Sequence, residues 1–244
     1  MASKNILLMG ASGGLGKHFA AGFADEGFNL ALHFHDHSDS TVLLEKELSN
    51  KNIKVKSFKA DITSEEEIVA LVENVKNEFG SIDILINNAG ISKDGVSWKL
   101  PLESWNKVLA VNLTGPFLCI KHILPIMREN NWGRIINISS VVPQIGVAGT
   151  AAYSVSKSGL AGLTKTVAKE TSKNNITINT ISLGYFDAGM LYQIPEEMRD
   201  QIRNTIPKKS FGNPMEIVQC MLFLCNENAS YITGQIININ GGLY

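Results

Sequence analysis

Short apolar runs bounded by turn-forming residues alternate along almost the whole chain with longer stretches whose apolar residues recur at helical spacing. A strand that is apolar at successive positions is buried on both faces, and strands separated by helices pair in parallel because each helix supplies the crossover. The strand runs are Ile6–Met9, Asn29–Phe34, Lys54–Lys59, Ile82–Asn87, Arg134–Ser139, Thr177–Ser182 and Gln235–Ile239. The helical runs are Leu15–Glu26, Thr41–Asn50, Ser64–Phe79, Leu102–Asn130, Ala151–Ser172 and Pro214–Asn226. With right-handed crossovers this predicts an α/β fold, a doubly wound seven-stranded parallel sheet with helices on both faces, spanning residues 1–244 as one domain. Only residues 184–212 break the alternation. Gly184, Gly189, Pro195, Pro207 and a short amphipathic stretch, Glu196–Ile206, predict a mobile substrate lid there, beyond a strand's carboxyl end.

Charge narrows the function. With 22 Lys+Arg against 23 Asp+Glu and no basic run, the chain lacks the electrostatic footprint of a nucleic-acid binder. No uninterrupted run of eighteen apolar residues predicts a membrane span, and no apolar leader precedes the first strand, so an unexported cytoplasmic chain is expected. Cys119, Cys220 and Cys225 are odd in number and form no Cys-x-x-Cys pair, so buried thiols in a reducing compartment are expected. Hydrophobic residues at 44% against charged ones at 18% predict a large core and surface buried between subunits. His33, His35 and His37 alternate as ligands on a strand would, yet no cysteine lies near them. Solvated or phosphate-facing imidazoles are expected, and no metal.

Gly10-Ala11-Ser12-Gly13-Gly14-Leu15-Gly16 sits between the first strand and the first helix, where backbone amides and the helix dipole can face a pyrophosphate. Asp61-Ile62 closes the third strand and Asn87-Asn88-Ala89-Gly90 the fourth. Asn112 lies in Val111-Asn112-Leu113-Thr114-Gly115, Ser140 ends Asn137-Ile138-Ser139-Ser140, and Tyr153 and Lys157 stand four apart on one helix face. In this order and spacing the chain resembles the short-chain dehydrogenase/reductase family from end to end. It is most similar to the 3-oxoacyl-[acyl-carrier-protein] reductases, through Gly133-Arg134-Ile135-Ile136 and the ending Tyr231-Ile232-Thr233-Gly234-Gln235 … Gly241-Gly242.

The resemblance implies a Rossmann-type fold that binds NADP(H) or NAD(H). Gly10, Ser12, Gly13, Gly14, Leu15, Gly16, His35, Asp61, Ile62, Asn88, Ala89, Gly90, Tyr153, Lys157, Gly184 and Phe186 would hold the cofactor, with Asp61 on the adenine amino group. It implies Asn112, Ser140, Tyr153 and Lys157 as catalytic residues. Tyr153 would exchange a proton with the substrate oxygen, favoured as phenolate by the Lys157 ammonium, and Ser140 would hydrogen-bond that oxygen. Lys157 would hold the nicotinamide ribose, and Asn112 would anchor a relay water. Ser140, Gln144, Tyr153 and Tyr185 would meet substrate, with Pro143, Ile145, Met190 and Leu191 adding apolar wall.

Some positions depart from the family pattern. Met9 replaces a Thr before the first glycine, Leu183-Gly184 replaces Pro-Gly, and Ala188 replaces a Thr that touches the nicotinamide carboxamide, leaving backbone near Phe186 for that contact. Phe34 puts no carboxylate at the end of the second strand, and Ser12, His35 and His37 can meet a 2′-phosphate, whereas an inward Asp36 would select NAD(H). NADP(H) is favoured. Asn131 and Asn174 stand where the reductases present basic residues to an acidic carrier, with Arg128, Lys169 and Lys173 nearby. The expected activity is reduction of a 3-oxoacyl thioester on acyl-carrier protein or coenzyme A. NAD(H)-linked chemistry on a cyclic or sugar-like alcohol is the alternative. A homotetramer is expected, built on Leu102–Asn130, Ala151–Ser172 with its small residues Ala161, Gly162 and Ala168, and the C-terminal helix and strand.

Overall fold

The computed structural model describes residues 3–36 and 38–244; His37 lies outside the described residues. The strands are β1 (Asn5–Met9), β2 (Asn29–Phe34), β3 (Val55–Lys59), β4 (Ile84–Asn87), β5 (Trp132–Ser140), β6 (Asn175–Leu183) and β7 (Ile236–Ile239). They form one sheet in the order β3-β2-β1-β4-β5-β6-β7, parallel throughout. The helices are α1 (Gly14–Asp25), α2 (Ser38–Leu48), α3 (Glu65–Phe79), α4 (Leu102–Leu109), α5 (Gly115–Glu129), α6 (Val142–Ile145), α7 (Ala151–Glu170), α8 (Glu196–Thr205) and α9 (Pro214–Cys225). The chain runs outward from β1 to β3, then returns past β1 to β4, so the carboxyl ends of β1 and β4 flank the crevice where the order reverses.

Two apolar cores sit on the two faces. Phe19 and Phe23 of α1, Leu44 and Leu48 of α2, and Ile217, Val218 and Met221 of α9 cover one. Ile68 and Leu71 of α3, Ile123 and Met127 of α5, and Val167 of α7 cover the other. Each fully buried large side chain here contributes about 1.5–3 kcal/mol by leaving water. Cys119 and Cys225 lie inside these cores and burial pushes their thiols up to about 12, whereas Cys220 is only half-buried. Ala168 also turns inward and meets Gly234, so of the small residues expected to face a partner subunit it is already covered.

Polar side chains fix the orientation of α7 on the sheet. Asn87 of β4 donates to Asn137 of β5 (2.8 Å), Asn137 donates to Thr164 of α7 (2.9 Å), and the hydroxyls of Thr164 and Thr180 of β6 lie 2.8 Å apart. This buried chain of hydrogen bonds joins three strands through the helix that carries Tyr153.

The stretch predicted as one helix, Leu102–Asn130, is interrupted. Residues 110–114 form a π-turn between α4 and α5, with Asn112 wholly buried in it. The cause is tertiary: Asn112 bonds the backbone of Ile91 through both its oxygen (2.8 Å) and its nitrogen (2.8 Å), and Gly115 lies against Ile62. By length and hydropathy Leu102–Glu129 would suffice to cross a bilayer, but here its inner face packs under the sheet.

Asn137→Ala leaves the Asn87 amide and the Thr164 hydroxyl short of partners in a dry site. We expect a loss of about 2–4 kcal/mol in urea unfolding; a loss below about 1 kcal/mol would show that the chain of hydrogen bonds does not hold α7.

Candidate active site

The glycine turn is held by side chains from both neighbouring strands. Gly10 has φ +76°, a left-handed conformation, and a Cβ there would lie 2.8 Å from the Ala89 Cα, so only glycine fits. Its N–H donates to His33 Nδ1 (3.1 Å), and its carbonyl accepts from Asn88 Nδ2 (2.9 Å). His33 Nε2 donates to the Ala60 carbonyl (2.9 Å), so one imidazole ties the turn to the end of β3. His33 is therefore buried rather than solvated or phosphate-facing. Burial lowers its pKa to about 4. Beyond the turn, α1 is preceded by Gly13 with no side-chain cap and has no acidic residue in its first turn, and Lys17 N–H donates to the Gly13 carbonyl (3.1 Å). Its leading amides are open to an anion.

A cleft of about 1430 Å³ opens over this turn. Gly10, Ser12, Gly13, Gly14, Leu15, His35, Asp61, Ile62, Asn88, Ala89 and Gly90 line it, as the sequence predicted for a cofactor. The size, the glycine-lined floor and the open helix terminus suit a dinucleotide. Besides Tyr153 and Lys157, described below, three expected cofactor residues are not in the lining of this cleft. Gly16 is buried beneath the turn, where a Cβ would lie 2.3 Å from the Gly10 carbonyl. Gly184 lets the backbone of Asn240 approach. Phe186 is buried in the core and its carbonyl accepts from Ala188 N–H (2.7 Å), so it is spent on the local turn. With Tyr185, it borders a separate cavity of about 300 Å³ under residues 206–212.

At the far end of the cleft, His35 lies between two carboxylates, with Nδ1 2.8 Å from Asp36 and Nε2 3.7 Å from Asp61. The Asp36 side chain is 73% exposed and turned onto His35. Burial acts to raise the Asp61 carboxyl, but the Thr63 amide and hydroxyl and His35 hold it below its ordinary range.

The catalytic candidates converge behind Gly90. A Cβ at Gly90 would stand 3.4 Å from both Asn112 Oδ1 and Lys157 Nζ. Lys157 donates to the Ile138 carbonyl (2.7 Å), and its Nζ is 5.9 Å from the centre of the Tyr153 ring. Tyr153 is buried, with the Ser140 hydroxyl among the groups that act on its phenol. Burial raises the phenol pKa, Ser140 opposes this, and Asp94 and Tyr185 add to it. Desolvation is the largest of these influences on the phenol, and Lys157 is not among them. Lys157 itself is lowered by burial to about 8. Asn112 also donates to Ser156 Oγ (3.1 Å), so its carboxamide braces Ile91 and α7. The Gln144 amide lies against the carbonyls of Ser140 and Val141, and with its nitrogen facing them it would donate to both at 2.9 Å and brace the turn after β5.

Residues 10–244 match the family described as Enoyl-(Acyl carrier protein) reductase. The 3-oxoacyl-[acyl-carrier-protein] reductase FabG of Staphylococcus epidermidis is 36% identical over 242 residues, covering 99% of each chain. Its namesake from Aquifex aeolicus is 37% identical over 241 residues, covering 99% of this chain and 97% of its own. That of Thermotoga maritima is 38% identical over 242 residues, covering 98% and 97%. The chain belongs to the short-chain dehydrogenase/reductase family.

As a short-chain dehydrogenase/reductase it is an NAD(P)-dependent oxidoreductase. The cleft of this reductase has a second wall that sequence motifs did not reveal: Ile91 and Lys93 after β4, Leu102 and Asn106 of α4, and Gly189 and Gln193 from the segment after β6. Met190, expected against substrate, lines this cleft, whereas Leu191 is buried in the structure. Gly14 and Gly189 are in such close contact that a Cβ on Gly14 would lie 2.4 Å from the Gly189 Cα. His33 escaped notice because a histidine inside an apolar strand carries no local sign of the backbone it will meet.

Two stability effects follow. The unfolded chain takes up a proton at His33 near pH 6.5, while the folded chain refuses it until about 4. This contribution is therefore present above pH 6.5 and lost as pH falls through that window. His33→Leu orphans the Gly10 amide and the Ala60 carbonyl and is expected to cost about 2–4 kcal/mol at pH 7; equal stabilities at pH 7 would refute the role. Lys157 acts with the opposite charge. Below pH 8 the folded chain carries a buried ammonium, and between about 8 and 10.5 it sheds a proton that the unfolded chain keeps, so stability rises across that window. Lys157→Met is expected to raise Tm at pH 7 by a few degrees, at about 2–4 °C per kcal/mol, and to lose this advantage towards pH 10. A lowered Tm at pH 7 would contradict it.

Proposed function

We propose that this enzyme uses NADP(H) to reduce a 3-oxoacyl thioester, carried on acyl-carrier protein or coenzyme A, to the 3-hydroxyacyl thioester. The observation that carries the reading is the buried Tyr153 phenol, kept protonated by burial on the helix that also carries Lys157. Its support is full-length similarity to proteins named for that reaction. When bound, the cofactor supplies hydride to the ketone carbon. Tyr153 gives its proton to the ketone oxygen, and Ser140 donates a hydrogen bond to the same oxygen as negative charge develops there. Lys157, behind Gly90, holds the ribose and favours the phenolate left after transfer, while Asn112 keeps the Ile91 backbone and α7 in place. The first-turn amides of α1 with Ser12, Gly13 and Leu15 take the pyrophosphate, and Asp61 with Ile62 takes the adenine. Tyr185 meets the substrate, and residues 184–212 close over it.

The choice of NADP(H) rests on the second strand. Phe34 presents no carboxylate there, and His35, flanked by Asp36 and Asp61, is the basic side chain at that end of the cleft that a 2′-phosphate would draw away from them. One imidazole in place of a guanidinium gives a preference on the order of tenfold, equivalent to about 1.4 kcal/mol. Carrier docking at the reductases' basic positions has less support, since Asn174 donates to Asn131 (3.2 Å) at the amino-terminal edge of β5 and β6, away from the cleft. A homotetramer is consistent with the exposed Leu102, Phe117 and Val155 on α4, α5 and α7 and with Phe223, Tyr231 and Tyr244 near the C-terminus.

The test is the initial rate of acetoacetyl-CoA reduction with NADPH and with NADH. Crotonyl-CoA serves as the enoyl control, and a panel of cyclic alcohols serves the alternative. We expect turnover of the 3-oxo substrate, NADPH preferred, the preference shrinking in His35→Ala. Tyr153→Phe should keep cofactor binding and lose roughly 10²- to 10⁴-fold in rate. Turnover confined to the enoyl substrate or the alcohols would overturn the substrate class, and near-normal turnover in Tyr153→Phe would remove the phenol from the mechanism.

A further inference from the structure

Between Tyr153 and Lys157 lies a buried polar side chain that the proposed chemistry does not use. Ser156 is wholly enclosed in the interior of α7, a position where alanine would serve the helix better than serine. Its hydroxyl donates to the carbonyl of Tyr153 (2.7 Å) and accepts from Asn112 Nδ2 (3.1 Å). The first of these is the back-bond that helical serines commonly make. The second reaches a different element, the π-turn between α4 and α5.

From Asn112 the path continues to the cleft. The Asn112 carboxamide accepts from the Ile91 N–H (2.8 Å) and donates to the Ile91 carbonyl (2.8 Å). Gly90 and Ile91 line the cleft, and a Cβ on Gly90 would stand 3.4 Å from Asn112 Oδ1. A strip of backbone that lines the cleft and the backbone of the proton donor are thus joined through two side chains, both without exposure to solvent. Lys157 is fastened elsewhere: its ammonium donates to the Ile138 carbonyl (2.7 Å) and its own carbonyl accepts from Ser139 Oγ (3.0 Å), both on β5. The start of α7 is therefore tied to the sheet through Lys157 and to the cleft floor through Ser156.

We infer that Ser156 is a positioning residue that, acting through Asn112, sets Tyr153 in register with the cleft floor at Gly90 and Ile91. The inference rests on the proposed proton transfer from Tyr153. Hydride and proton must reach neighbouring atoms of one carbonyl group, so a misplacement of about an ångström between their supports slows the reaction by up to about a hundredfold while both ligands still bind. A merely structural serine would show as lost stability, with the rate per folded enzyme unchanged.

The experiment compares Ser156→Ala with the wild type and with Thr171→Val, which removes a similar buried back-bond, to the Val167 carbonyl (2.9 Å), at the far end of α7. The readouts are kcat and KM with acetoacetyl-CoA and NADPH, the NADPH Kd by fluorescence, Tm, and hydrogen exchange at the Ile91 amide. Ser156→Ala should lose roughly ten- to a hundredfold in kcat, with KM and Kd within about threefold of wild type. Its Ile91 amide should exchange about tenfold faster or more. Thr171→Val should lower Tm and keep kcat within about twofold of wild type. Ser156→Cys, whose thiol is a weak donor and acceptor, serves if the alanine variant does not fold, and its kcat should fall between those of wild type and the alanine prediction. A wild-type kcat in the folded variant overturns the inference, as does a KM that rises in step with the fall in kcat or an unmoved Ile91 exchange rate. If the wild type turns over only cyclic alcohols, the 3-oxoacyl reading falls and the same comparison on the alcohol decides the role of Ser156. If it turns over neither class, the proton-transfer role falls with that reading and the Ile91 exchange decides whether Ser156 joins the cleft floor to α7.

Discussion

A backbone turn that faces a polyanion must keep its own amides unspent, and that demand organises the molecule. At Gly10 both main-chain polar groups are taken by side chains, His33 from β2 and Asn88 from the end of β4. The turn is therefore fixed from outside, without an internal hydrogen-bond ladder that would consume the amides of α1. Because β1 lies between β2 and β4, the two clamps reach the turn from opposite sides. The strand order that reverses there is thus both the source of the crevice and the means by which its floor is held rigid.

A second demand comes from burying a reactive phenol and an ammonium under the same roof. Tyr153 and Lys157 both pay in desolvation, in opposite senses: the phenol is kept protonated and the lysine is brought closer to losing its proton. The polar chain from Asn87 to Thr180 offsets none of that cost directly. It fixes α7 so that the two groups meet Ser140 and Gly90 at usable distances. Stability has been placed in the sheet's hydrogen bonds so that the site itself can remain strained in charge.

The strand and helix pattern was legible because a buried parallel sheet needs continuous apolar runs, and the seven strands fall within two or so residues of their predicted bounds. The glycine turn, Asn88 to Gly90, and the meeting of Ser140, Tyr153 and Lys157 were legible because each is a motif tied to the end of a strand. What escaped was long-range. Gly16, Gly184 and Phe186 look like cofactor residues by position, yet each is consumed by a backbone neighbour distant in sequence or by its own turn. The π-turn at Asn112 and the burial of His33 involve partners 21 and 27 residues away, which no local period records.

The π-turn between α4 and α5 carries one residue more than an α-helix would need. An extra residue advances the helix by about a hundred degrees, so everything after it faces a different direction from the one α4 alone would have set. The inner face of α5 matches the sheet only because of that advance. Loops on this protein's surface can lengthen or shorten at little cost, but a single-residue deletion within 110–114 would turn the whole of α5 out of phase with its core. The irregular turn is thus a point of length intolerance in the middle of an otherwise ordinary helix, and it couples the spacing of Asn112 to the packing of residues fifteen positions downstream.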